Sequence, residues 1–372
     1  MTAIAGAESG MVSNNPPAVV APPDFLYNKP LLPEAILKDK QAGSHTAGFP
    51  AVGYDPETKF GYGAIAEFFD NGPSDSPFFA VTPYRRKFSL GVNGTTGGFR
   101  QAAVEYDCPY VNDTPWRIRC AAQFEENQFE NYFGIGARTL QPFSFPGSPR
   151  TFTSYDDYYA ALNENRNGQT WARYDDYHRT AGLGVVTVER DYLGGLLRPQ
   201  IGLQISHVRV GDYTGDTIDG AVMQTTRLRE DSEAGRIVGF TGGWDNALKL
   251  GLTYDSRDFE PDPSSGLMLQ LAGRLSGGWL GSSFDYQQFT FSVRKFQNLL
   301  PQPDRLILAL RGVYAMQFGT VPFYSASRLP FTDGDISGLG GYPRPFDQHP
   351  ARHPRENPPG DIFEQSAAWI YQ

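Results

Sequence analysis

Over residues 267–276 apolar and polar side chains alternate with period two. Leu267, Leu269, Leu271, Gly273 and Leu275 fall on one face, and Met268, Gln270, Ala272, Arg274 and Ser276 on the other. A strand places successive side chains on opposite faces, whereas a helix repeats every 3.6 residues, so this stretch is a strand. Comparable patterns cover 60–68, 85–92, 99–108, 116–124, 131–138, 176–190, 197–210, 246–255, 284–296 and 305–318. With 267–276 they predict eleven strands before residue 319.

The two faces differ in chemistry. Over 116–125, Trp116, Ile118, Cys120, Ala122 and Phe124 share one face, and Arg117, Arg119, Ala121, Gln123 and Glu125 the other. Ile201, Leu203 and Ile205, then Leu248, Leu250, Leu252 and Tyr254, then Phe289, Phe291 and Val293 are expected to face outward, as are Leu306, Leu308 and Leu310. Long strands with one apolar and one polar face fit an all-β transmembrane antiparallel barrel, its polar face turned to a lumen. Gly53–Pro56 reads as a turn, and Asn93-Gly94 opens a tight one. Short turns are expected near 94–98, 126–130, 191–195, 257–265 and 299–304. Longer connections lie between them, at about 140–170, with a short helix around Tyr155–Tyr159, and up to about Gly243. A membrane barrel has short turns at one end and long loops at the other. A soluble β-sandwich that binds a ligand is the alternative.

Composition changes this picture little. Charged residues make up 20% of the 372 and the mean hydropathy is −0.41, yet only every second strand residue of a barrel meets lipid. Aromatics at 14% suit girdles at two membrane interfaces. The net charge of −9 lacks the basic excess that nucleic-acid binding needs. Ala3–Ala7 has the small-residue character of a signal-peptide end, or of an ordinary tail. Residues 1–48, with many Pro, Ala, Asn and Ser, read as a disordered lead-in or linker.

No nucleophile triad, phosphate loop or metal-ligand spacing is present in the sequence, and no enzyme activity, cofactor or metal is expected. His349 and His353 are separated by Pro350, which prevents the helix that would bring them together. Asp156-Asp157, Asp175-Asp176 and Glu230-Asp231 read as solvated loop faces, and Arg117, Arg119, Arg274 and Arg311 as a structural network inside the lumen. Asp255 and Arg257 read as an ion pair within a turn. Cys108 and Cys120 fall on one outward face; a disulfide between them would close a loop of roughly 12 residues and contribute about 3 kcal/mol. Two buried thiols are the alternative.

The turn Tyr254-Asp255-Ser256-Arg257-Asp258, followed by Pro261, Pro263 and the strand-starting Gly266, resembles a motif of the BamA/TamA family, or bacterial surface antigen family. Leu310-Arg311-Gly312-Val313 through Gly319-Thr320-Val321-Pro322-Phe323 is similar to the family's approach to a long external loop. Phe49-Pro50 through Tyr54-Asp55-Pro56 and Gly61-Tyr62-Gly63 resemble the start of its barrel. The resemblance covers about 49–345, with a Pro-rich non-barrel tail over 346–372. It implies about sixteen strands, so that the chain reads as a barrel truncated after about eleven, or as one closed by a second chain. It also implies a loop folded back into the lumen with an Arg-Gly-aromatic tip. Arg344 and Phe346 stand there, but Pro345 replaces the glycine, and 325–372 are expected to be mobile.

By the same resemblance, the expected setting is the bacterial outer membrane. The expected partners are its lipid, unfolded outer-membrane proteins whose insertion or translocation the chain assists, and a periplasmic accessory chain. A passive channel or surface antigen sharing only the barrel is the alternative.

Overall fold

A computed structural model describes residues 20–55, 59–135, 139, 141–260, 262–300, 306–326, 328–331, 334–337 and 370–371. Eleven long strands run β1 Ser44–Asp55, β2 Lys59–Asp70, β3 Arg86–Thr95, β4 Phe99–Cys108, β5 Trp116–Asn131, β6 Asp176–Arg190, β7 Leu197–Gly211, β8 Ala247–Asp255, β9 Gly266–Ser276, β10 Tyr286–Leu300 and β11 Leu306–Gly319. Each pairs antiparallel with the next, in chain order, as one sheet. Gly242–Trp244 adds to β7, and Ile370–Tyr371 touches β11 in parallel over two positions. Among the described residues β1 and β11 do not pair with each other, and the sheet is open. A single curved sheet with Ile201, Leu203, Leu271 and Phe291 exposed excludes the sandwich alternative, which would bury such residues between two sheets.

The strand count agrees with the sequence reading, but through two compensating differences. Ser44–Asp55 is a full strand where a lead-in and a turn at Gly53–Pro56 were expected. Pro50 disguises it, yet proline is tolerated on an edge strand, and β1 is one. Conversely, 126–130 is not a turn, and of the strand expected over 131–138 the described residues 132–135 are not extended into one, 136–138 lying outside the described residues. β5 continues to Asn131 through an irregularity between Asn127 and Glu130, which shifts the alternation by one and makes one strand read as two.

The connections also differ from the expected alternation. One end, the turn end, carries 71–85, 109–115, 191–196 and 256–265; the other, the loop end, carries 96–98, 132–175, 212–246 and 277–285. The tight Asn93–Gly98 turn therefore lies at the loop end. The two long loops pack together around Phe145, Phe152, Tyr158, Trp171, Tyr174 and Met223. They carry helices Tyr155–Leu162 and Arg227–Glu233, capped by Ser154 and Thr226, whose side chains accept from the amides of Asp157 and Arg229. The acidic pairs expected to be solvated are divided. Asp156 and Asp157 are exposed, but Asp175 and Asp231 are buried and take hydrogen bonds from Arg227 (2.6 Å) and Tyr132 (2.8 Å).

Residues 24–43 are folded, unlike the lead-in expected there; 1–19 lie outside the described residues. A 3-10 turn at Asp24–Leu26 and a helix at Glu34–Asp39 cross the turn end. Leu26 is fully buried against Phe78, Val81 and Tyr110. A Pro-rich stretch looks unable to form a core, but its sparse apolar residues here borrow one from the barrel.

Candidate functional site

The inward face of the sheet builds a polar lumen. Thr253, Gln270 and Ser292 lie opposite one another across β8, β9 and β10, as do Lys249, Arg274 and Gln288, and all six are buried. Asp245 sits at the centre of the loop-end half. Its carboxylate accepts from Tyr286 Oη (2.6 Å) and Ser325 Oγ (2.8 Å), and Arg274 Nη2 lies 3.1 Å away. These groups surround it because Ser325 belongs to a segment, 320–331, that folds back from β11 into the barrel. Its helix Phe323–Ala326 packs Phe323 and Tyr324 against Tyr132, Tyr177, Phe284 and Tyr286. Gln288 Nε2 donates to Ser325 O (2.9 Å), and Arg328 Nη2 lies 3.6 Å from Glu125, which also holds Arg179. Of the stretch 325–372 expected to be mobile, Ser325, Ala326 and Arg328 are thus docked in the lumen by hydrogen-bond and ionic contacts. Arg344, Pro345 and Phe346 lie outside the described residues.

The turn-end half holds a second cluster. Arg117 forks onto Asp107, which also accepts from Tyr84 Oη (2.8 Å). Arg119 reaches Glu189 (3.3 Å), and Arg198 reaches Asp191 (2.7 Å) and Glu189 (3.6 Å). Arg117, Arg119 and Arg274 are thus in the lumen network as expected. The acids that hold them escaped the sequence reading, although Asp107 and Glu189 lie at inward strand positions opposite Arg119 and Arg117. A small cavity opens here between Glu189, Arg198, Gln200, Thr253, Asp255 and Glu260.

The turn between β8 and β9 borders that cavity, and the structure brings its expected residues together. Asp255 takes two hydrogen bonds from the Arg257 guanidinium (2.7 and 2.8 Å) and one from the Arg257 amide (3.1 Å). The Asp258 carboxylate accepts from the amides of Phe259 (3.0 Å), Ser264 (2.9 Å) and Ser265 (3.1 Å), and from the Ser264 hydroxyl. Partial burial alone would raise the Asp258 pKa, but these donors outweigh it and hold the carboxyl below its usual range. Gly266 has φ +112°, and a Cβ there would stand 2.4 Å from Ser256 O, so glycine is required where the strand restarts. Tyr254 precedes the turn, opposite Leu269 and Leu197. The turn carries Glu260 into the mouth of the lumen. Its surroundings would raise the carboxyl, but Lys29, Arg117, Arg198 and Arg257 bring it down to about 2.

Cys108, buried, and Cys120, half-buried, are both free thiols. The register sets Cys108 opposite Ile118 and Cys120 opposite Tyr106, so the two are diagonal rather than paired.

The geometry is that of a barrel wall with an apolar exterior, a charge-paired interior and a chain segment folded into the lumen. A family model described as a domain of unknown function (DUF5982) matches residues 23–85, the crossing segment with β1 and β2. The comparison with curated proteins gives no match. Among solved structures the chain is similar to BamA from Haemophilus ducreyi lacking POTRA domains 1–3, at 15% identity and a TM-score of 0.44, over 77% of this chain and 44% of that one. The chain thus spans less than half the length of that relative. A second family model, the Omp85 superfamily domain, matches residues 86–342. That match takes in β3 to β11 together with the segment that returns to the lumen, so the outer-membrane-type barrel read from the strand pattern is borne out, and the chain belongs to the Omp85 superfamily.

Proposed function

We propose that the chain resides in the bacterial outer membrane, turn end toward the periplasm, and assists the insertion or translocation of other outer-membrane proteins. The observation that carries this reading is β1. Among the described residues it pairs along 44–55 with β2 alone, beside an exterior of exposed apolar side chains. A one-sided strand in contact with lipid is a template on which an incoming strand can satisfy its own backbone groups. Unfolded outer-membrane proteins and membrane lipid are the partners this chemistry serves, and a periplasmic accessory chain would meet the turn end.

The test is reconstitution of the full chain into vesicles, with a urea-unfolded small outer-membrane barrel as probe. Folding of the probe should speed up at least tenfold over empty vesicles. Unchanged folding together with steady ion conductance would instead favour the passive-channel reading.

A further inference from the structure

We propose that residues 24–40 are a strap that closes the turn-end mouth of the lumen and swings away about Gly43 to open it. The strap touches connections that belong to widely separated strands. Asn28 donates from its amide to Gly194 O (3.0 Å) and from its side chain to Leu193 O (3.1 Å), in the turn between β6 and β7. Lys29 Nζ donates to Tyr110 Oη (3.0 Å), between β4 and β5. The Leu32 amide donates to Ala80 O (2.7 Å), and Lys40 Nζ donates to Phe79 O and Thr82 O (both 2.6 Å), between β2 and β3. Lys29 also faces Glu260, carried in by the turn between β8 and β9. A segment hydrogen-bonded to three connections between β2 and β7, and lining one opening together with the turn between β8 and β9, crosses the mouth they surround.

The attachment suits a closure that can be released. Three apolar side chains of the strap pack on the barrel, Leu26 and Leu32 buried and Phe25 resting on Phe78 and Tyr110, and its other anchors are hydrogen bonds from Asn28, Lys29, Leu32 and Lys40 to loop groups. Each barrel strand, by contrast, is held by a continuous ladder. At the far end of the strap Gly43 adopts φ +84°, with open space where a Cβ would stand. Its amide and carbonyl are tied to Gly72 and Asn71, so the strap has a fixed pivot just before β1. Glu260 and Lys29 line the same opening, so a change at either residue alters the charge between strap and turn.

The proposal rests on the barrel reading and not on the insertion activity, and its test reads only access to the lumen. In the full-length chain, with Cys108 and Cys120 replaced by serine, Thr253→Cys places one thiol inside the mouth. A charged methanethiosulfonate reagent reports its exposure, and amide exchange reports the state of the strap. Asn28→Ala combined with Lys40→Gln should raise labelling at least tenfold while β8 keeps its exchange protection. Labelling changed by less than twofold, with the Asn28 and Leu32 amides already unprotected, would overturn the closure. Should the double variant fail to fold, the parent Thr253→Cys chain still decides. Its thiol should react no faster than the Asn28 and Leu32 amides exchange, and faster reaction would show a mouth open with the strap in place.

Discussion

Leu252, Leu271, Phe291 and Tyr314 lie opposite one another across β8, β9, β10 and β11, and all four are exposed. One residue further along each strand, the polar row of Thr253, Gln270 and Ser292 is buried. In the membrane setting proposed above, lipid is the solvent of the first row. Leu271→Arg, at the middle of β9, should cost about 2–4 kcal/mol of stability in a bilayer. Ser292→Ala should be neutral or slightly stabilising, because among the described groups its buried hydroxyl has no hydrogen-bond partner. Urea unfolding of the two variants in vesicles checks both, and equal losses would contradict the lipid-facing assignment. Gly266 is constrained by backbone rather than solvent: Gly266→Ala should cost about 1–3 kcal/mol at φ +112°. This part of the site was legible beforehand, since turn glycines and carboxylates act on neighbours a few residues away. Glu260 with Lys29 was not, because the two are remote in sequence and meet only across the mouth.

At the scale of elements, the turn between β8 and β9 is held largely by charge, which makes it sensitive to acid. The carboxyls of Asp258 and Glu260 have folded pKa values below their ordinary 3.8 and 4.5. Their stabilisation is fully present above the ordinary values, and it is lost as pH falls through the folded values, to about 2 for Glu260. Exchange protection of the amides of Ser264 and Ser265, bound to Asp258, should hold from neutral pH to about pH 5 and then fall with acid. Asp258→Asn should remove most of that dependence. The strands themselves were legible because alternation survives wherever the ladder is regular. It failed at two irregularities: the one between Asn127 and Glu130 inverted the phase within β5, and Pro50 hid β1 at the edge. Both are places where a local rule gives way to pairing.

For the molecule as a whole, the lumen is a structural core built from polar groups, and Asp245 is its junction. It lies just before β8, yet it is bound by Tyr286 at the start of β10, by Arg274 of β9 and by Ser325 of the returning segment. No strand pattern could have shown this, because the partners come from three places along the chain and only the folded sheet with its returning segment assembles them. Deleting the carboxylate removes the anion 3.1 Å from Arg274, whose side chain is 4% exposed. Breaking a buried pair on one side costs about 3–5 kcal/mol, more than loss of a surface contact. Asp245→Ala should therefore destabilise the folded barrel by about that amount and also release the segment. The amide of Phe323, which donates to Val238 O (3.0 Å), should lose its protection, while amides in the middle of β9 and β10 keep theirs. Asp245→Asn retains an acceptor and should fall between the two. A Phe323 amide as slow in Asp245→Ala as in the parent chain would mean that the aromatic packing with Tyr132 and Tyr177 alone holds the segment in the lumen.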